Sequence, residues 1–183
     1  MLDDNALWQF AKHFYAAPGI ATQLLELQNK YALNINQLIF AIWLVTQNHQ
    51  LMSLPNVASE SEQWRCDIVM PLRNLRFNIK QKMSCADGAT VKSAIEATQL
   101  IEACYQQLLK AELAAEKVEL SYLYHHRSEF YQLKPQYQPR GSAELVSKNL
   151  NVCWDLCLVK NSESEFKEQA HTFSEAVISW LQE

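Results

Sequence analysis

The sequence predicts an all-α protein, a single-domain bundle of about six helices around a central apolar helix at residues 35–49. Three observations predict it. Only three glycines and five prolines occur among 183 residues, too few for a succession of short strands and tight turns. Residues Leu38 to Val45 form the longest unbroken apolar run, which is too short to span a bilayer and suits a helix buried on all sides. Residues Thr90 to about His126 contain neither glycine nor proline and are rich in Ala, Leu, Glu, Gln and Lys, all strong helix formers.

The elements follow in order. Asp3, Asp4 and Asn5 supply a cap and favourable charge for a first helix, on which Leu7, Phe10, Ala11 and Phe14 share one face, with Trp8 and Tyr15 on its flank. Pro18-Gly19 breaks it. A second helix carries Ile20, Leu24, Leu27 and Tyr31 inward. Asn34 or Asn36 caps the central helix, where Trp43 is expected at the centre of the core. These three helices are expected to form one antiparallel layer. Residues 51–61 read as a loop, and Ser59 with Glu62 as a capping box.

The next helix is expected from about Glu60 to Cys85, with a kink or restart near Ile68 to Pro71, because proline lacks an N–H and clashes with the preceding turn. Its expected buried stripe is Ile68, Leu72, Leu75, Ile79 and Met83, and Asp87-Gly88 ends it. The glycine-free stretch from Thr90 is expected to be one helix of about 35 residues, near 50 Å long at 1.5 Å per residue. Pro135, Pro139 and Gly141, with Tyr131 and Tyr137, predict a surface loop. Residues 143–159 fit both strand alternation and helical spacing; the lack of a partner strand decides for helix. Ser162 with Glu165 caps a last helix carrying Phe166, Ala170, Phe173, Val177 and Leu181 inward. The expected core covers residues 5–126, followed by a C-terminal helical part at 143–183.

Several pieces fall in one order: Leu7-Trp8-x-Phe10-Ala11, Leu27-Gln28, Asn36 with Leu38 and Trp43-Leu44, Pro71-Leu72-Arg73 with Arg76, and Glu112-Leu113-x-Ala115-Glu116 with Glu119. Together they resemble an uncharacterised proteobacterial family of small proteins, a domain of unknown function. The resemblance covers residues 5–125 and implies no activity, cofactor or substrate. The chain departs from that pattern at Asn29, where an acidic residue is usual, and at Phe77, where a second arginine is usual.

Composition limits the function classes. The formal net charge of -4 disfavours a nucleic-acid partner. Five cysteines without a C-x-x-C pair disfavour a disulfide framework or zinc site, and the acidic N-terminus lacks the apolar segment of a signal peptide, so a cytoplasmic location is expected. No phosphate loop or nucleophile motif is present, so no catalytic residue and no cofactor are expected. Cys153 and Cys157 stand one turn apart but lack further ligands. No Glu-x-x-His occurs, so no metal is expected at Glu112, Glu116, Glu119 and His126.

One constellation stands out. On the long helix Glu112, Glu116 and Glu119 continue the apolar stripe of Ile101, Tyr105, Leu108, Ala115 and Leu123. On the preceding helix Arg65, Arg73, Arg76 and Lys80 gather beside the apolar face. A hairpin at Asp87-Gly88 would bring the two arcs together. Arg73, Arg76, Lys80, Glu112, Glu116 and Glu119 are therefore the candidate site residues, as an ion-pair network at the core edge or as a cleft for an anionic ligand. The sequence favours a non-enzymatic domain with a protein partner and without membrane contact; a small-ligand binder or enzyme using that cleft is the alternative.

Overall fold

The computed structural model describes residues 4–86, 92–133, 142–155 and 163–182. It is an all-α bundle with one two-stranded ribbon among the described residues. The chain divides into two compact units: Met1–Pro55 with Leu120–Glu183, and Asn56–Glu119.

In the first unit, α1 (Ala6–Tyr15) starts where the Asn5 side chain accepts a hydrogen bond from the Trp8 N–H at 2.9 Å. Gly19, at φ 78°, turns the chain into α2 (Ile20–Tyr31); that left-handed conformation suits a residue without a Cβ. Leu7, Ala11, Phe14, Ile20, Leu24 and Leu27 are buried as their spacing predicts. Helix α3 (Ile35–Thr46) is capped by Asn34, which accepts from the N–H groups of Asn36 and Gln37. All eight positions from Leu38 to Val45 are buried, Trp43 with 6% of its surface exposed. Helices α1, α2 and α3 all touch one another, so they form a mutual cluster and not the single layer expected.

The central helix stops three residues short of the expected end. Gln47 caps it, Asn48 takes a left-handed φ of 62°, and strand β1 (His49–Leu51) follows. Strand β2 (Tyr131–Leu133) pairs with β1 antiparallel, with Gln50 opposite Gln132. The His49 and Tyr131 rings stack at 3.8 Å between centroids. Helix α7 (Ala143–Trp154) packs against α3 and β1, and α8 (Glu163–Gln182) against α7 and α2. Helix therefore prevails over strand at 143–154, while residues 156–159, Cys157 included, lie outside the described residues, as do Ser162, the Asp87-Gly88 turn and the Pro135–Gly141 loop. Phe166, Ala170, Phe173 and Val177 are buried, and Leu181 is half-buried.

Asn149 joins these pieces. It is fully buried on α7; its Oδ1 accepts from the Leu51 N–H at 2.9 Å, and its Nδ2 donates to the carbonyls of Ala41 at 3.0 Å and His49 at 3.1 Å. A single amide thereby satisfies the Leu51 N–H and the His49 carbonyl, which face away from the partner strand, and ties the ribbon to the Ala41 carbonyl of α3.

The second unit holds α4 (Glu60–Trp64), a π-helical turn (Arg65–Val69), α5 (Met70–Ala86) and α6 (Lys92–His125) as far as Glu119. Ser59 caps α4 by accepting from the Glu62 N–H, but the Glu62 carboxylate turns to Arg65 and leaves the capping box half made. The π turn falls where Pro71 predicts a disturbance: a proline clashes with the carbonyl four residues back, and the wider turn relieves the crowding.

The expected buried stripe of α5 is overturned. Ile68 and Leu75 are 37% and 49% exposed, and Leu72, Ile79 and Met83 are only half-buried. Arg73 and Arg76 reach α6 instead, and Val69 is buried. The face of α5 that meets α6 through Arg73 and Arg76 is covered, and the flanking apolar face is left to solvent.

Candidate functional site

Within the second unit, the charged arcs of α5 and α6 meet. Arg73 Nε donates to Glu112 Oε1 at 2.8 Å, and its Nη2 donates to Glu116 Oε1 at 2.6 Å. Arg76 Nε donates to Glu112 Oε2, and its Nη2 donates to Glu112 Oε1 at 3.2 Å. Arg65 pairs locally with Glu62 and lies in the field of Glu119. As residue numbers rise along α5 their partners fall along α6, so the two helices run antiparallel. Glutamate spacing of four residues puts Glu112 and Glu116 on one face, where the forked guanidinium of Arg73 spans both.

The cluster is drawn into the hairpin. The Arg73 and Arg76 side chains are each 14% exposed and that of Glu112 is 7% exposed. Lys80, expected among them, is exposed. Glu119 is 2% exposed. Two features had no expectation. The Trp64 indole donates to the Ala115 carbonyl at 2.9 Å, anchoring α4 on α6. The Arg76 guanidinium lies 4.7 Å from the centre of the Phe77 ring, a cation–π contact. The sequence signal for the first is a tryptophan on the same helix as the basic arc.

The two carboxylates titrate in opposite directions. Burial pushes Glu112 up, but hydrogen bonds from Arg76 and Arg73 outweigh it, so its pKa lies below the ordinary value. Glu116 shares one guanidinium. Burial dominates there, reinforced by the charge of Glu112 and opposed by that of Arg73, and its pKa is raised. Arg76 is held charged by its hydrogen bond to Glu112.

The remaining candidates give no competing site. Burial raises the Cys153 thiol to about 12, which leaves it protonated and unreactive at neutral pH. The His126 ring meets Glu129 at 2.9 Å. Among the described residues no group of three or more His, Cys, Asp or Glu is placed to hold a metal ion, and no helix is long and apolar enough to cross a membrane. The family described as "Protein of unknown function (DUF2390)" matches residues 6–123. No curated protein and no solved structure matches the chain.

Proposed function

The chain belongs to the DUF2390 family, and on that premise we propose that it is a non-enzymatic protein-interaction or regulatory domain, acting in the cytoplasm through the apolar side of the α5–α6 hairpin. One observation carries the reading. The guanidinium and carboxylate groups that could recognise an anion are engaged with each other, while large apolar side chains of the same hairpin are exposed: Leu75 at 49% and Leu100 at 73%. An anion entering the cluster would have to displace Glu112 from two arginines and leave a carboxylate buried without compensation. An exposed apolar patch is the usual mark of a contact surface.

The alternative, an anionic-ligand binder or enzyme using Arg73, Arg76 and Lys80, keeps one supporting observation: Glu116 has a raised pKa and is the easier of the two carboxylates to neutralise. Both readings are tested by placing a photoreactive residue at Leu75, with Val57, at 85% exposure, as the exposed control. The interaction reading expects a protein adduct in cells at Leu75 and none at Val57. No adduct at Leu75, together with a rise in melting temperature in phosphate that Arg73→Gln abolishes, would replace it with the ligand reading.

A further inference from the structure

We infer that the β1–β2 ribbon is an acid-sensitive latch, held closed by the neutral His49 ring stacked on Tyr131 and released when that ring takes up a proton.

The stack sets the geometry. The two rings lie 3.8 Å apart and within 3° of parallel, so the imidazole N–H bonds lie in the plane of the stack and none points at the tyrosine face. His49 Nδ1 is buried and has no hydrogen-bond partner among the described residues. In the neutral ring that nitrogen is the bare acceptor, with the proton on Nε2. A buried acceptor without a partner is tolerated more readily than a buried N–H without one. Protonation turns both ring nitrogens into donors and puts an N–H where no acceptor stands. The Tyr131 face attracts a cation, but it accepts no bond from a ring that lies parallel to it.

A fixed positive charge adds to this. Arg127 belongs to the short turn Arg127–Glu129 before β2. Its Nη1 donates to the Tyr124 carbonyl at 2.6 Å, and its guanidinium lies 4.4 Å from the centre of the Tyr124 ring. Burial first, and then the Arg127 charge, hold the His49 pKa below its ordinary value. The other elements packed on β1 bring no compensating carboxylate. Helix α3 has no titratable side chain. On α7, Glu144 and Lys148 are exposed and pair with each other at 2.6 Å, and Cys153 is buried against the Gln37 carbonyl. Glu129 meets His126.

His49 also sits where the ribbon is fastened. Its carbonyl accepts from Asn149 Nδ2, three residues of each strand pair, and the Met52 N–H donates to the Phe130 carbonyl at 2.8 Å. Two strands of this length are marginal by themselves, so one proton is enough to shift them. Release uncovers the buried Leu51 and Phe130, the latter edge-on to Phe40 of α3. Below the ordinary histidine value of about 6.5, the open ribbon binds a proton that the closed one refuses. Opening therefore grows as pH falls, by at most about tenfold per pH unit, until the closed form is protonated too.

The test is hydrogen exchange of the full chain at about pH 7.5 and 5.5, on either side of the ordinary histidine value, corrected for the intrinsic pH dependence of exchange. The opening constant read at the Gln50, Met52 and Gln132 amides is expected to rise about tenfold, while that of Ile42 and Leu44 in α3 stays level. His49→Phe keeps a stacked ring without the proton site and is expected to abolish the rise; His49→Gln serves if the phenylalanine disturbs the fold. His126→Ala is expected to leave the rise intact. A rise that persists in a folded His49 variant, or that is lost with His126, overturns the inference, because another group then carries the proton. So does a wild-type ribbon whose opening is independent of pH. Side-chain NMR titration of the wild-type chain decides even if no variant folds: His49 is expected to titrate below the ordinary value, and a titration at or above it overturns the latch.

Discussion

Glu112 and Glu116 share Arg73 and are shifted in opposite directions, which gives the cluster a pH signature of its own. Glu112 is depressed in the folded state, so its contribution to stability is present above the ordinary glutamate pKa and is lost as pH falls through its folded value. Glu116 is raised, so its contribution is present below the ordinary value and is lost as pH rises through its folded value. Denaturant unfolding between about pH 3 and 7, where both groups titrate, separates them. The destabilisation by Glu112→Gln is expected to grow with pH, whereas that by Glu116→Gln shrinks. Parallel profiles for the two variants would show that neither carboxylate is coupled to the arginines as described. Asn149 supplies a second residue-scale prediction. Asn149→Ala leaves the buried Leu51 N–H without its acceptor and is expected to cost about 1–3 kcal/mol for that group alone, read as a lower denaturation midpoint. A change below about half a kcal/mol, the range of surface substitutions, would mean that water replaces the amide.

Helix ends carry the element-scale prediction. Helix α2 ends on Ala32 at φ 56°, its N–H bonded to the Gln28 carbonyl. Glycine is usual in this left-handed cap, because a Cβ there meets the following carbonyl oxygen. Ala32→Gly is expected to raise stability by about 0.5–1 kcal/mol, the relief of that contact less the added freedom of the unfolded chain. A loss of stability measured by thermal or denaturant unfolding would count against the cap. Elements were legible in the sequence to the degree that one local pattern determines them. Eight apolar residues in a row can only be a core segment, and so α3 was readable. The arginine and glutamate arcs were visible as helical spacing. Which arginine takes which carboxylate was not, because the axial offset of two helices decides it. The ribbon was hidden because three-residue strands show no alternation and pair residues about 80 positions apart. Asn149 left only an indirect trace, an amide where the spacing of Leu145, Val146, Leu150 and Cys153 calls for an apolar side chain.

At the scale of the whole molecule, the two units differ in how much apolar surface they bury. Helix α3 alone has eight consecutive buried side chains, whereas Val69 and Ala115 are the buried apolar side chains among the described residues of Asn56–Glu119. Local opening follows buried contact, so the hairpin should open at a lower free energy than α3. Native-state hydrogen exchange reads this contrast directly. The expected pattern is faster exchange in residues 70–83 and 99–119 than in Leu38–Val45, whose side chains are buried without interruption. Equal protection in the two units would show that the ion pairs of the hairpin hold it as firmly as the apolar core holds α3.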